Sequence, residues 1–445
     1  MIFNSQNYSN AVTRLVCEPR GVFTPFVHVD RKRYDAIREK SSPLDMTHLS
    51  QRLGAQMLSR IRGAMGFTLR NARSFFPTYK FFIDEFLNDE WLASVDWHKG
   101  FHRDHVIHQP MAVYVGMSLL CGYELSSPHR HSFEPNGNSL LSDCVKVVLT
   151  SSRCEYIRDY LQDMGASDVY SDITPLRTIL WESIFMDTFF LAALFHDIGY
   201  PWRLVNSIHE KLNNHSLTEN PAIQNSDWLL EKYGKRLAFY PLYGYDKPDK
   251  RAPVYWTEEL LATIREGLAK THGVPGAVAL LHLNDLIRVY PDMEDRSARR
   301  FCLEWAAMAV MMHDLSGLYG KVEDGKLIIN RPHLRISFNC DPLSFMLTLT
   351  DVIEDFGRPD ATFQNVDEYS ARASYYSRCK EVKLDWDPNS RTLKIIYVYD
   401  NRGDYVKNRA EFLPKNELLY FHPDQGYLDF TDTGISQIKL EAELA

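Results

Sequence analysis

The sequence predicts a mainly α protein with a small β or α/β module near its C-terminus. Ile179–Ile198 is apolar on nearly every face of a helix, which is typical of a helix in a protein core. Helical periodicity returns over 257–290 and 296–315, and from about residue 380 the pattern changes to that of β-strands. The expected organisation is an N-terminal helical extension (1–94), a helical metal-binding domain (95–362) and a C-terminal β-rich module (380–445).

The composition sets broad limits on function. The chain has 445 residues, of which 45% are hydrophobic and 24% charged, as in ordinary globular proteins. A net charge of −8 gives no strong signal for binding nucleic acid or an anionic membrane. Seven cysteines without a Cys-x-x-Cys pair favour reduced thiols, and neither a signal peptide nor a membrane-spanning run is present. We therefore expect a soluble cytoplasmic protein.

The first half of the chain reads as helices joined by polar segments. The N-terminal extension is expected either to pack on the main domain or to serve an interaction, such as homo-oligomerisation. Helices are predicted over 102–121, 140–163 and 176–198. A polar insertion at about 203–256 follows, and it is expected to form either a lid over a site or a surface loop.

Local signals predict the remaining elements. Asp324-Gly325 marks the turn of a β-hairpin over 321–329, and Pro342 opens a helix that reaches Phe356. Strands are predicted at 382–386 and 392–399. A further pair of strands is expected between Tyr427 and Leu440.

Five places share one unusual property, a His or Asp within or at the end of an apolar helix, where burial is costly unless a partner compensates it. They are His105 or His108, the doublet His196-Asp197, His272, His313 and Asp351. Each alone is more typical of a hydrogen-bonded core residue than of a ligand. Together they form an imidazole and carboxylate set, which suits zinc, iron or manganese better than calcium.

The order of these residues resembles the HD superfamily of metal-dependent phosphohydrolases over about residues 95–360. The segment Leu194-Phe195-His196-Asp197-Ile198-Gly199 is similar to the central motif of that family. Thr271-His272-Gly273 and, 41 residues after His272, His313 look like the two additional histidines of its dinuclear branch. The run that ends in Asp351 is similar to the closing helix of the family.

The resemblance implies a helical-bundle core and a site for two divalent transition metals. The implied ligands are His108, His196, Asp197, His272, His313 and Asp351. His196 and Asp197 are expected at the catalytic centre, with Asp197 bridging the ions. His105 and His108 share a helix face, and the apolar, close-packing face beyond His108 favours it as the ligand, with His105 close to the ligands or substrate.

The implied activity is hydrolysis of a nucleotide or another small phosphoester by a metal-bridged hydroxide. Arg203, Lys270 and Arg358 lie near ligand positions in the sequence and could meet the charge of the phosphate. Two alternatives stay open. Mixed-valent di-iron oxygenases of the same superfamily use a similar ligand set, and a non-catalytic nucleotide-binding sensor or scaffold would explain the extension, the insertion and the C-terminal module.

Overall fold

A computed structural model gives the fold of much of the chain. It describes residues 1–4, 7, 105–122, 133–155, 157–158, 175–199, 258–287, 296–354, 356 and 379–445. The predicted insertion lies outside these residues, as does nearly all of the N-terminal extension. The described part of the chain is mainly helical with a small sheet of mostly C-terminal strands, so the predicted class is confirmed at that level.

The described elements follow one another as helices first and most strands last. The helices are α1 (His105–Cys121), α2 (Leu140–Thr150), α3 (Pro175–Phe195), α4 (Glu258–Lys270), α5 (Gly273–Ile287), α6 (Arg296–His313), α7 (Ser316–Tyr319), α8 (Pro342–Ile353), α9 (Arg402–Lys407) and α10 (Leu413–Phe421). The strands are β1 (Ile2–Asn4), β2 (Gly320–Glu323), β3 (Lys326–Ile329), β4 (Ile336–Ser337), β5 (Cys379–Asp387), β6 (Thr392–Tyr399), β7 (Leu428–Asp429) and β8 (Gln437–Leu444).

The described residues divide into two compact units. Unit 1 is formed by those of Met1–Leu140, Thr350–Glu417 and Ile435–Ala445, and unit 2 by those of Leu141–Leu349 and Leu418–Gly434. This division differs from the linear boundaries expected from the sequence, because Leu418–Gly434 belongs to unit 2. Each unit therefore combines segments that are far apart in the sequence.

The interior of unit 2 explains why α3 is apolar on nearly all sides. Phe185 and Leu194 on this helix are fully buried, and α6 packs against both α3 and α5. Trp305 on α6 meets the rings of Trp181 and Phe185 edge-on, with ring centroids 6.4 and 5.7 Å apart. Such aromatic contacts add specific geometry to the burial of apolar area. They fix α3 relative to α6, the helix that ends at His313.

The predicted β-hairpin is confirmed in unit 2. β2 and β3 pair antiparallel, with Glu323 opposite Lys326. The two residues between them, Asp324 and Gly325, have φ values of 49° and 72°. Positive φ at both central residues is the requirement of a type I′ turn, and Asp-Gly is a preferred pair for it.

The sheet of unit 1 has the strand order β1-β5-β6-β8. The predicted antiparallel pair β5 and β6 is confirmed, and β8 lies parallel to β6 after a crossover through helices. β1, from the start of the chain, pairs with β5, which places Ile2 opposite Lys383. Phe3 in this strand is fully buried, and its ring centroid is 5.7 Å from that of Tyr114 and 6.1 Å from that of Phe356.

The further pair of strands expected between Tyr427 and Leu440 forms differently. β7 pairs in parallel with β4 in unit 2, whereas β8 belongs to the sheet of unit 1. Between β7 and β8, Asp432 and Gly434 have φ values of 71° and 84°, so the chain changes direction there. The two predicted strands are therefore present, and each pairs with a strand from elsewhere in the chain.

Two expectations about the class of protein can be compared with the fold. Among the described helices, none combines the length and the apolar character that crossing a membrane requires. Within the described residues, six cysteines are thiols outside any disulfide: Cys121, Cys144, Cys154, Cys302, Cys340 and Cys379.

Glu304 on α6 leads to a prediction about stability and pH. It is 1% exposed, and burial raises the pKa of its carboxyl from 4.5 to about 8. Between these two pH values the unfolded chain ionises this group while the folded protein keeps it protonated. Stability should therefore fall as pH rises through this window, by at most about 1.4 kcal/mol per pH unit from this group.

We expect Glu304→Gln to flatten this pH dependence and to be more stable than the wild type at pH 8. Thermal unfolding of both proteins at pH 5, 6.5 and 8 measures the difference. An unchanged pH slope in the variant would contradict the raised pKa.

Candidate metal centre

The His-Asp doublet lies in a tight turn directly after α3. The helix ends at Phe195, and the amide of Ile198 donates to the Phe195 carbonyl over 3.2 Å. His196 is fully buried and Asp197 is 2% exposed. A β carbon at Gly199 would lie 1.9 Å from the carbonyl oxygen of His272, so only glycine allows this approach.

His272 lies at a break between α4 and α5, within a segment that the sequence pattern reads as one helical run. The backbone N–H and the hydroxyl of Thr271 both donate to the Gly267 carbonyl, over 2.8 and 2.9 Å, at the end of α4. The backbone N–H groups of His272 and Gly273 donate to Asp314 Oδ2 over 2.7 and 3.1 Å. An acidic side chain thus satisfies amide groups at the start of α5, where negative charge is favourable.

His313 is the last residue of α6, and Asp314 follows it. A β carbon at Gly273 would lie 2.6 Å from the Val310 carbonyl oxygen, so the start of α5 touches the last turn of α6. The same acidic residue that serves α5 is therefore attached to the helix that carries His313.

Three imidazoles converge on one carboxylate. Asp197 Oδ1 lies 2.9 Å from His272 Nε2, 3.5 Å from His196 Nε2 and 4.0 Å from His313 Nε2. The Nε2 atoms of His272 and His313 are 3.1 Å apart. Ligand atoms around a tetrahedral zinc ion are about 3.3 Å apart, given bonds of about 2.0–2.1 Å. The observed spacings lie around this value.

In His196 and His313, the hydrogen bond of the outer nitrogen, Nδ1, determines whether the inner nitrogen, Nε2, can bind a metal ion. His196 Nδ1 lies 2.8 Å from the Ala193 carbonyl oxygen, and His313 Nδ1 lies 2.6 Å from that of Val310. Because a carbonyl oxygen only accepts, each Nδ1 must be the donor, and in the neutral ring Nε2 then carries the lone pair. Metal-binding histidines are commonly held in this way.

In His272, the carboxylate of Asp314 takes the place of the backbone carbonyl that faces Nδ1 in the other two rings. Its Nδ1 lies 2.8 Å from Asp314 Oδ2. Burial lowers the pKa of His272, but the carboxylates of Asp314 and Asp197 outweigh it and raise the pKa to about 9. Burial raises the pKa of Asp314, and the neighbouring His272 outweighs this and lowers it to about 2. The site therefore favours a positive charge between its rings, either a proton or a metal ion.

The described residues thus contain a buried group that can hold a metal ion, namely His196, Asp197 and His313, and His272 joins it through Asp197. Imidazole nitrogen and carboxylate oxygen suit manganese, iron or zinc. Four of the six ligands predicted from the sequence are therefore brought together in unit 2.

The other predicted site residues lie in unit 1, on the exposed surface of α4, or outside the described residues. His105 and His108 are on α1 in unit 1, and their side chains are not among those described. Asp351 is a half-buried residue of α8 and belongs to unit 1. Arg203 and Arg358 lie outside the described residues. Lys270 is exposed on α4 and forms an ion pair with Glu266 over 2.8 Å.

Asp314 is the residue that the sequence reasoning missed. His313-Asp314 repeats the residue pair of His196-Asp197, and this repetition was a signal in the sequence. The role of Asp314 depends on the backbone of His272, which lies 42 positions earlier, so no local pattern predicts it.

Gly199→Ala tests the close approach that places the doublet. The new methyl group meets the backbone of His272, so we expect a loss of about 2 kcal/mol or more in the free energy of unfolding and weaker binding of cobalt(II). Gly317→Ala is the matched control, because a β carbon at Gly317 meets nothing within 4 Å and should change stability by less than about 1 kcal/mol. Equal stability of both variants in chemical unfolding would contradict the placement.

Asp314→Asn tests the orientation of His272. The variant keeps an oxygen acceptor but loses the negative charge, so the affinity for cobalt(II) should fall about 10–100-fold. Glu266→Gln is the control, since Glu266 is a carboxylate of unit 2 that forms ion pairs with Lys270 and Arg331. A titration of the metal-free protein followed by visible absorption measures both affinities, and a similar loss in both variants would contradict the specific role of Asp314.

Comparison with known proteins gives no match, so a function is proposed from the geometry of the metal centre. No protein-family model matches the chain, and no curated protein or solved structure matches it either. The family resemblance of the motifs therefore enters as a hypothesis that the metal centre can test.

Proposed function

We propose that this protein is a metal-dependent phosphohydrolase, similar to the HD superfamily, that acts on a nucleotide or another small phosphoester. The observation that carries the proposal is the convergence of three imidazole Nε2 atoms on Asp197 Oδ1 in a buried site. Carbonyl oxygens hold the outer nitrogens of His196 and His313, and a carboxylate lies beside that of His272. Such an arrangement favours ligation over ordinary packing.

The residues fit a divalent transition metal by number, chemistry and spacing. When bound, such a metal lowers the pKa of a coordinated water to about 7 and polarises a phosphoryl oxygen. Asp197 is the centre of the group, and because a carboxylate has two oxygens it can contact two cations at once. This supports, within the proposal, the dinuclear form that the resemblance implies.

Each residue of the proposed metal centre contributes a separate part to this function. His196 and His313 present lone pairs whose direction is set by the last turns of α3 and α6. Asp314 holds His272 and neutralises part of the charge around it. The near-complete burial of the four side chains keeps bulk water away, which strengthens electrostatic interactions with a bound anion.

The remaining parts of the proposed site stay predictions. His108 and Asp351 are the proposed fifth and sixth ligands, and Arg203 and Arg358 are candidate phosphate-binding residues. Lys270 is already paired with Glu266, which reduces the charge that it can offer to a substrate.

The test joins metal analysis to a hydrolysis screen. Purified protein is assayed for bound manganese, iron and zinc, and then for phosphate release from nucleoside phosphates, cyclic nucleotides and dinucleoside polyphosphates. Asp197→Asn and His313→Gln should each lower the rate by more than about 100-fold, because loss of a ligand exceeds the effect of its outer partners. His333→Gln changes another buried histidine of unit 2 and should retain the activity.

The outcomes separate the proposal from its alternatives. Two metal ions per chain with phosphate release support the phosphohydrolase. Bound iron with turnover that requires oxygen would instead indicate the di-iron oxygenase. Metal and nucleotide binding without turnover would indicate a sensor or scaffold.

A further inference from the structure

The segment Leu418–Gly434 brings a buried tyrosine to unit 2. Tyr427 is fully buried, its backbone N–H donates to the Leu419 carbonyl over 2.7 Å, and its carbonyl accepts from Ile336 N–H over 2.8 Å. Both backbone groups are thus fixed, the first by α10 and the second by β4. These backbone hydrogen bonds hold Tyr427 in place independently of the contacts of its hydroxyl.

The turn before Tyr427 is fixed as well. Gly426 N–H donates to the His422 carbonyl over 2.7 Å, and a β carbon at Gly426 would lie 2.7 Å from backbone atoms of His422 and Tyr420. Arg335 donates from Nε to the Gly426 carbonyl over 2.9 Å and from Nη2 to that of Pro423 over 2.8 Å. The guanidinium therefore holds the turn from the side of β4.

The hydroxyl of Tyr427 donates to the backbone carbonyl of Met312. This carbonyl is in the last turn of α6, where carbonyls lack the usual helical partner, and it also accepts from Leu315 N–H over 3.2 Å. The Met312 carbonyl and the amide nitrogen of His313 belong to the same planar peptide group. A bond that fixes the carbonyl therefore also fixes where the backbone of His313 begins.

The hydroxyl is suited to a permanent donor role. Burial, with smaller contributions from Tyr420 and Asp314, raises the pKa of Tyr427 well above its usual value, so the phenol keeps its proton. The ring of Tyr427 packs against those of Tyr319 and Tyr420, with centroids 5.3 and 6.1 Å away. The packing leaves the ring little freedom to leave the Met312 carbonyl.

We infer that Tyr427 is a positioning residue for the metal centre, which acts through the Met312–His313 peptide to aim His313 Nε2 at Asp197. This inference rests on the proposed metal-binding function. Two anchors then orient His313: its own Nδ1 on the Val310 carbonyl within α6, and Tyr427 from a segment more than a hundred residues later in the chain. Removal of the hydroxyl should loosen the ligand while the tyrosine ring, as phenylalanine, still fills its place.

The test is the binding of cobalt(II) to the metal-free full chain, followed by the visible spectrum of the bound ion. Tyr427→Phe should lower the affinity about tenfold, as for other outer partners of metal ligands, and shift the spectrum. Thr433→Val is the control, because Thr433 is also a fully buried residue of unit 2 whose hydroxyl donates to a backbone carbonyl, that of Phe430, over 2.6 Å. It should lose a similar amount of stability but keep the affinity within about twofold of the wild type.

Arg335→Lys is a second variant, which weakens the hold on the turn while the hydroxyl of Tyr427 remains. It should give a smaller loss of affinity, and it provides the test if Tyr427→Phe does not fold. If Tyr427→Phe keeps the affinity and the spectrum of the wild type, the role of Tyr427 is overturned while the proposed metal site stands. Where only Arg335→Lys folds, the same result in that variant has the same meaning. An equal loss of affinity in Tyr427→Phe and Thr433→Val would also overturn the role of Tyr427. Failure of the wild-type protein to bind cobalt(II) would overturn the proposed metal site as well.

Discussion

The carboxylate of Asp197 is the group on which the arrangement of unit 2 depends. It is almost completely buried, and the cost of removing a charge from water must be met by its neighbours. Three imidazoles surround it, and His272, whose two ring nitrogens each face a carboxylate, favours a positive charge that a proton or a metal ion can supply. Asp314 and Asp197 together raise the pKa of His272 despite its burial, and His272 in turn lowers the pKa of Asp314.

The neighbours can reach Asp197 because three chain segments change direction at the same place. α3 ends before the doublet, α4 ends before His272, and α6 ends at His313. Gly199 and Gly273 allow their backbones to approach closer than any side chain would permit. Asp314 then joins two of the segments, since one oxygen serves both the start of α5 and the ring of His272. The ligands are thus held by backbone contacts together with the apolar packing behind them.

Sequence reasoning predicted the parts that have local causes. The apolar context of His196-Asp197, the Asp324-Gly325 turn and the strands β5 and β6 each have a signal within about ten residues, and the structure places all of them as expected. It missed the break at Thr271, because the residues on either side continue a helical pattern. It also missed Asp314, β1 and the return of Leu418–Gly434 to unit 2, since each depends on a partner far along the chain. Spacing within one sequence does not encode such partners.

The pairing of β1 with β5 has a consequence for the order in which the protein forms. Ile2–Asn4 is separated from Cys379–Asp387 by most of the given sequence, so Phe3 has no finished site to enter until that distant segment is present. Contacts over such sequence separations carry a high loop-closure cost and form slowly. The pairing of β1 with β5 is therefore a late step in the folding of unit 1.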